Sequence, residues 1–332
     1  MVYFARMNIL VRLPNWLGDM VMSASFIKAV QSAYPDAAVS VIAKKGMEGI
    51  LDFFPPLKHR FLFSKQSYNG ITGMYRFGRM IRNQQRFDIF FCLPDSFSSA
   101  FIGWSTGATA RVGYRKEARN FLLTHHYQKD HGRHRIEQYW ELLAKFSGHR
   151  AAGSTSPPFN LPPQQRSGLL VNIHSEATSR RIPREKAAAL LDLLCVHSNE
   201  KITLIGGPND ARYTSEVIAL LQYPQRVTNI AGTTTLPELI QLFSRSLALL
   251  SSDSGPAHLA NACSLPVLVL FGAGDENETR PFYDSSSEVI RLGKLSCEPC
   301  RRNECKFGIP PPCLTDLDNE KVINGFLKLA NA

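Results

Sequence analysis

The stretch LLSSDSGPAHLANACSLPVLVLF, residues 249–271, begins and ends apolar and holds Asp253, Ser254, Gly255, Pro256 and His258 between its two runs. Gly255 lets the main chain turn and approach a ligand with no Cβ in the way. Pro256 is preorganised for the first turn of a helix. A helix start offers free N–H groups and a partial positive charge, which seat an anion such as a diphosphate. The Ser254 hydroxyl adds a donor, and His258 falls on the same first turn. Asp253 has the chemistry to accept from a sugar or ribose hydroxyl. The same residues also fit a plainer arrangement, in which Asp253 caps the helix and His258 packs in the core.

A second acid stands in a comparable place. In LPNWLGD, residues 13–19, an apolar run gives way to a turn that ends on Asp19. As a helix cap or first-turn acid, Asp19 would contribute about 1 kcal/mol. As a general base it would face a ligand from the carboxyl end of a strand, with closure of a second domain raising its proton affinity. Neither turn carries GxGxxG or GxxxxGK[ST], which argues against a dinucleotide fingerprint and a P-loop. Nor is SSDSGPAH the GxSxG of a nucleophile elbow.

The elements that must hold these residues alternate between strand and helix. The patterning predicts strands at 8–13, 38–43, 88–94 and 111–114, with helices over 19–34, 70–87, 96–106 and 134–146. Residues 147–168 are rich in Pro, Gly and Ser and read as a linker. The pattern then restarts. Strands are expected at 168–173, 201–206, 247–252 and 266–271, with helices over 183–198, 209–222, 235–246, 256–264 and 319–330. This predicts an α/β chain of two doubly wound domains, each with its ligand outside the carboxyl ends of its strands.

With 332 residues and 44% hydrophobic content, the chain is long enough for two such cores without disulfide or metal support. The opening sixteen residues lack the pattern of a secretory signal, so the seven cysteines are expected to be reduced thiols in the cytoplasm. The net charge of +10 fits simple solubility, an acidic substrate, an anionic membrane surface or nucleic acid. No basic–aromatic interleaving of a known nucleic-acid module is present, so no nucleic-acid partner is expected. Cys297, Cys300, Cys305 and Cys313 are four thiols spaced C-x2-C-x4-C-x7-C. They suit either a metal tetrathiolate or a reduced structural loop, and the later spacings match no common zinc ribbon. The histidine-rich HHYQKDHGRHR, residues 125–135, suits a polar loop leading into a helix at His134 better than a metal site.

RLPNWLGDMVMSASF and SSDSGPAHLANACSLPVLVLFG together resemble the heptosyltransferases of lipopolysaccharide inner-core assembly. LPDSFSSAF (93–101), ARVGYRKEAR (110–119), HRIEQYWELL (134–143) and the cysteine-bearing tail extend the resemblance from residue 7 to about 327. It implies a GT-B fold, two Rossmann-like domains facing a central cleft. The acceptor domain would span 1–160 and the nucleotide-sugar domain 161–315, with 316–332 a closing helix able to pack back toward the first domain. It implies an inverting transfer of L-glycero-D-manno-heptose from ADP-heptose to heptosyl-Kdo2-lipid A, with no cofactor or metal. A related GT-B enzyme with another nucleotide sugar or acceptor is the alternative. By this likeness Asp19 is the base, and Ser254, Gly255 and the following N–H groups hold the diphosphate. Asp253 and His258 hold heptose and phosphate, and Asp210 lies near the ribose. In SRRIP (179–183), Arg180 stands where the family usually has lysine and Ile182 where it has tryptophan. Arg180 keeps the charge that would neutralise a leaving diphosphate, with a different geometry. Arg115, Lys116 and Arg119 are expected to dock the enzyme peripherally on the anionic cytoplasmic face of the inner membrane.

Overall fold

A computed structural model of the chain describes residues 7–116, 118–148, 153–283 and 287–332. It divides into two compact units, Met1–Ser154 and Thr155–Ala332. Part of the linker stretch, 149–152, and the first six residues lie outside the described residues.

In the first unit the strands are β1 (Asn8–Arg12), β2 (Ala38–Lys44), β3 (Arg60–Phe63), β4 (Ile89–Cys92), β5 (Ala110–Tyr114) and β6 (His125–Tyr127). Among the described residues they form one parallel sheet in the order β3-β2-β1-β4-β5-β6. The helices are α1 (Leu17–Ala33), α2 (Gly70–Gln84), α3 (Phe97–Thr106) and α4 (Arg135–Ser147). Helices cover both faces of the sheet, so Ile9–Val11 of β1 and all of β4 are consecutive apolar residues rather than alternating ones. Two glycines bring the helices in close. A Cβ at Gly103 would overlap the Phe90 ring of β4, and one at Gly78 would overlap Ser105. Helix α3 thus lies tight on the sheet and tight against α2.

The second unit repeats the plan. Its strands are β7 (Leu169–Asn172), β8 (Ile202–Ile205), β9 (Val227–Asn229), β10 (Ala248–Ser252), β11 (Val267–Phe271) and β12 (Ser287–Arg291). They pair in parallel in the order β12-β11-β10-β7-β8-β9. Its helices are α5 (Arg184–His197), α6 (Ala211–Ile218), α7 (Leu236–Ser244), α8 (Gly255–Ala262), α9 (Glu276–Thr279), α10 (Pro312–Thr315) and α11 (Asn319–Ala330). Val322, Ile323 and Phe326 of α11 are fully buried in the same core as Leu190 and Leu194 of α5, so the closing helix belongs to this unit's core. Read in chain order, both sheets have the 3-2-1-4-5-6 arrangement of a Rossmann-like domain. Strand order reverses between β1 and β4, and again between β7 and β10. Ligands of such sheets bind at the carboxyl ends beside that reversal. Asp19 follows β1, and Asp253 to His258 follow β10.

Candidate active site

Asn172 ends β7 directly opposite Ser251 of β10. Its amide Nδ2 donates to Ser251 Oγ at 3.1 Å, to Ser254 Oγ at 2.8 Å and to the His174 carbonyl at 3.1 Å. Ser252 Oγ donates to that same carbonyl at 2.5 Å. The strand ends are therefore tied by side chains where backbone pairing stops. Ser254 is the N-cap residue of α8, but its side chain makes no capping bond, and Pro256 occupies the first turn as the sequence predicts. The hydroxyl is instead held by Asn172, and the start of α8 keeps donors that its own cap does not consume.

Asp253 does not cap this helix. Its carboxylate is 4% exposed, with Oδ2 3.3 Å from Arg180 Nη1. That Oδ2 is buried and makes no hydrogen bond. Burial raises the Asp253 carboxyl to about 6, with Arg180 and then Arg291 opposing the shift. A Cβ added at Gly274 would overlap Asp253 Oδ2, so the backbone there presses directly on the carboxylate. Arg180 sits on a 3-10 turn, Thr178–Arg180, clamped from the cysteine-bearing loop. Ser179 Oγ donates to the Arg302 carbonyl at 2.6 Å, and Ser179 N–H to the Asn303 carbonyl at 3.1 Å. Ile182 is a buried core residue. His258 is buried on the first turn of α8.

Asp210 is already engaged. Its Oδ2 accepts from the Gly207 N–H at 2.8 Å, and its Oδ1 lies 3.4 Å from His174 Nδ1. His174 is 4% exposed and lies 2.7 Å, through Nε2, from Thr214 Oγ1. Burial lowers His174 to about 4, with Asp210 opposing and Arg181 reinforcing the shift, so the ring is neutral near pH 7. Asp210 organises the glycine turn after β8 and faces this neutral imidazole.

In the first unit, α1 starts at Leu17, so Asp19 is a first-turn acid and Trp16 is the N-cap, with no side-chain cap bond. Arg135 Nε lies 3.8 Å from Asp19 Oδ1, both side chains being about one quarter exposed. Arg135 opens α4, whose N-cap is His134. His134 Nδ1 accepts from the Ile136 N–H at 3.2 Å, and Glu137 returns to the His134 N–H at 3.2 Å. That is the local role of the histidine-rich stretch, which also supplies edge strand β6. Arg12, at the end of β1, is 2% exposed. It donates to the Leu13 carbonyl at 2.7 Å, the Ile42 carbonyl at 3.1 Å and Asn15 Oδ1 at 2.6 Å. Burial lowers its guanidinium to about 10. It fixes the turn that carries Asp19.

Arg115 and Lys116 are exposed, but Arg119 corrects the expectation of a docking cation. Its side chain is wholly buried, donating from Nη2 to the Tyr114 carbonyl at 2.7 Å and from Nη1 to the Pro94 carbonyl at 2.5 Å. It staples the loop after β4 to the end of β5 and has no surface to offer a membrane. Arg12, Asn172, His174 and Arg135 were not singled out from the sequence. The available signals were an arginine inside the apolar run NILVRL and an Asn–x–His closing GLLVNIH.

Cys297, Cys300 and Cys305 are half-buried, and Cys313 is buried. Burial pushes the Cys313 thiol up to about 11, with Glu298 and then the other three loop thiols adding to it. Among the described residues, no group of three or more His, Cys, Asp or Glu side chains is arranged to hold a metal ion. The loop is tied down by ion pairs, Glu298 with Arg291 and Arg301 with Asp275.

Two doubly wound parallel sheets, each with polar residues gathered where strand order reverses, are the architecture of the GT-B fold class. Residues 74–309 match the model of glycosyltransferase family 9 (heptosyltransferase), and the chain belongs to that family. Lipopolysaccharide heptosyltransferase 2 of Salmonella typhimurium is 29% identical over 317 residues, covering 86% of this chain and 88% of that protein. The structure of E. coli ADP-heptose LPS heptosyltransferase II matches with a TM-score of 0.81 at 24% identity, over 98% of this chain and 99% of that one. The family 9 glycosyl transferase of Veillonella parvula matches with a TM-score of 0.84 at 19% identity, over 98% of each chain. These two structural likenesses concern the fold.

Proposed function

We propose that this enzyme moves L-glycero-D-manno-heptose from ADP-heptose to a heptosyl-Kdo2-lipid A acceptor, with inversion, at the cytoplasmic face of the inner membrane. One observation carries the reading. A buried carboxylate, Asp253, is ion-paired with Arg180 beside the uncapped start of α8. That arrangement suits a sugar diphosphate. The α8 N-terminus, the Ser254 hydroxyl and the close approach at Gly255 receive the diphosphate. Arg180 meets the charge that grows on the leaving group. Asp253 and His258 address the sugar and phosphate, and Asp210 shapes the turn expected beside the ribose. Asp19 takes the acceptor's proton as its oxygen attacks the anomeric carbon, with Arg135 holding the carboxylate in place.

Curated relatives named lipopolysaccharide heptosyltransferase 2 and lipooligosaccharide heptosyltransferase 2 support heptose transfer to such an acceptor. Among the described residues no helix is long and apolar enough to cross a membrane, so contact with a lipid-borne acceptor would be peripheral. Arg180 and Ile182 depart from the family's usual residues, and this favours testing other donors. The experiment is a mass-spectrometric assay of ADP-heptose with heptosyl-Kdo2-lipid A, beside a panel of UDP- and GDP-sugars. A product heavier by one heptose, formed from ADP-heptose alone, is expected. Turnover of another nucleotide sugar in preference would replace the donor, and no turnover with this acceptor would replace the acceptor.

A further inference from the structure

Helix α3 carries Phe97, Phe101 and Trp104 at spacings of four and three, one face of a helix. In a doubly wound domain such a face normally turns to the sheet. Here its ends turn outward and only Phe101, half-buried, packs on the core, because α3 meets β4 through Gly103 and α2 through Ser105. Phe97 and Trp104 are exposed, the latter by 45%. The rings run on beyond the helix. Phe97 stacks on Phe101 at 5.9 Å, Phe101 meets Trp104 at 5.5 Å, and Trp104 meets Tyr75 of α2 at 6.3 Å. At the other end Phe97 lies 6.5 Å from Phe121, which is 75% exposed. Ile71, one turn before Tyr75, is 60% exposed. Scattered exposed rings need no explanation, but four exposed rings joined through a half-buried fifth do.

Cations border the file. Arg76 and Arg79 follow Tyr75 on α2 and are exposed, and neither α2 nor α3 contains an Asp or Glu. At the Phe121 end, exposed Lys116 is tied to the same turn, its N–H donating to Asn120 Oδ1 at 3.1 Å, and Arg115 precedes it. Amphipathic rings beside cations suit the interfacial layer of an anionic bilayer. Exposed basic residues there attract anionic lipid, an attraction that falls with salt.

The geometry points to the aromatic file Tyr75–Trp104–Phe101–Phe97–Phe121 as the surface by which this enzyme docks on an anionic lipid bilayer, with Arg76, Arg79, Arg115 and Lys116 as its charged rim. This deepens the function proposed above, and rests on it, by giving a lipid-borne acceptor a place of delivery. The rings enter the headgroup layer while the cations meet lipid phosphates. None of these residues belongs to the site around Asp19 or Asp253.

Sedimentation with vesicles of phosphatidylglycerol and phosphatidylethanolamine tests it, against vesicles of phosphatidylcholine alone. The wild-type protein is expected to bind the anionic vesicles at least tenfold more tightly, and more weakly in 0.5 M salt than in 0.05 M. The variant Phe97→Ser/Trp104→Ser/Phe121→Ser is expected to lose at least tenfold in vesicle affinity. Its melting temperature and its turnover of a deacylated, water-soluble acceptor are expected to stay at wild-type values. A second protein, Trp16→Phe/Trp140→Phe, keeps Trp104 as its only tryptophan, and brominated lipids are expected to quench its fluorescence. Unchanged vesicle binding by the triple-serine variant would overturn the proposal, as would unquenched Trp104. So would a wild-type dimer that the serine substitutions dissociate, because the file would then be covered by a second copy. Vesicle binding is read without any sugar donor, so failure of the heptose reading would show separately, as absent turnover by an enzyme that still binds lipid.

Discussion

Arg180 Nη1 lies 3.3 Å from Asp253 Oδ2, and this guanidinium is the strongest influence opposing the burial that raises Asp253 to about 6. Arg180→Ala should therefore let Asp253 hold its proton at still higher pH and remove the cation proposed to face the diphosphate. We expect the ADP-heptose kcat/KM to fall by a factor of ~100, in line with the ~3 kcal/mol of one preorganised charge contact. Arg180→Lys should recover part of it, the charge without the fork. Steady-state kinetics with both variants reads this directly.

Asp253 also sets a pH dependence of stability. Its folded value of about 6 lies above its ordinary 3.8. The unfolded chain thus releases this proton at lower pH than the folded one. The folded state is favoured by this group below pH 4, and the advantage disappears as pH rises through 6. At ~1.4 kcal/mol per tenfold change in proton affinity, ionised Asp253 costs the fold roughly 3 kcal/mol above that pH. Asp253→Asn is expected to melt higher than wild type at pH 8, with the difference gone by pH 4. Calorimetry across that range measures it, and the variant's KM for ADP-heptose should be raised throughout.

His174 acts in the opposite sense. Held at about 4, below its ordinary 6.5, it binds its proton more readily in the unfolded chain. Its contribution to stability is complete above pH 6.5 and is lost as pH falls toward 4. His174→Asn should flatten the acid limb of the melting curve between those values, whatever its effect at pH 8.

Asp19→Asn is expected to lower kcat by a hundred- to ten-thousand-fold, the usual share of a general base. Affinity for ADP, measured by titration calorimetry, should stay near wild type, since the Asn172–Ser254 cluster and α8 lie in the other unit. Arg135→Gln should lower kcat about tenfold and leave the KM for ADP-heptose unchanged. Arg135→Lys should rescue much of that loss.

Arg119→Met should act on stability alone. It strands the buried carbonyls of Tyr114 and Pro94, which this guanidinium now satisfies. A loss of ~3 kcal/mol is expected by denaturant titration. Vesicle affinity of the folded fraction should not change, unlike that of Lys116→Glu, which should fall.

The central strands were legible because both of their faces are covered, and Ile9–Val11 and VLVLF are consecutive apolar runs. Edge strands β3, β6, β9 and β12 were not. RFLF, HHY, VTN and SEVIR are three to five residues long and partly solvated, with too little pattern to declare themselves. Asp19 and the Asp253–His258 turn were legible because charge and glycine interrupt apolar runs there. Arg180 was also named, but which residues pair with which was hidden, because the partners come from distant segments. Arg180 reaches Asp253 across 73 positions, and Asn172 reaches Ser254 across 82. Arg119 misled for a related reason, since a cation in a basic stretch gives no sign that carbonyls of two loops will enclose it.

Gly274 bears on how this enzyme can diversify. Even an alanine methyl at that position would collide with Asp253 Oδ2. A saturation library there should return glycine alone, and under the function proposed above a route to a new donor sugar would run instead through neighbours such as Arg180, whose side chain is still 28% open to solvent.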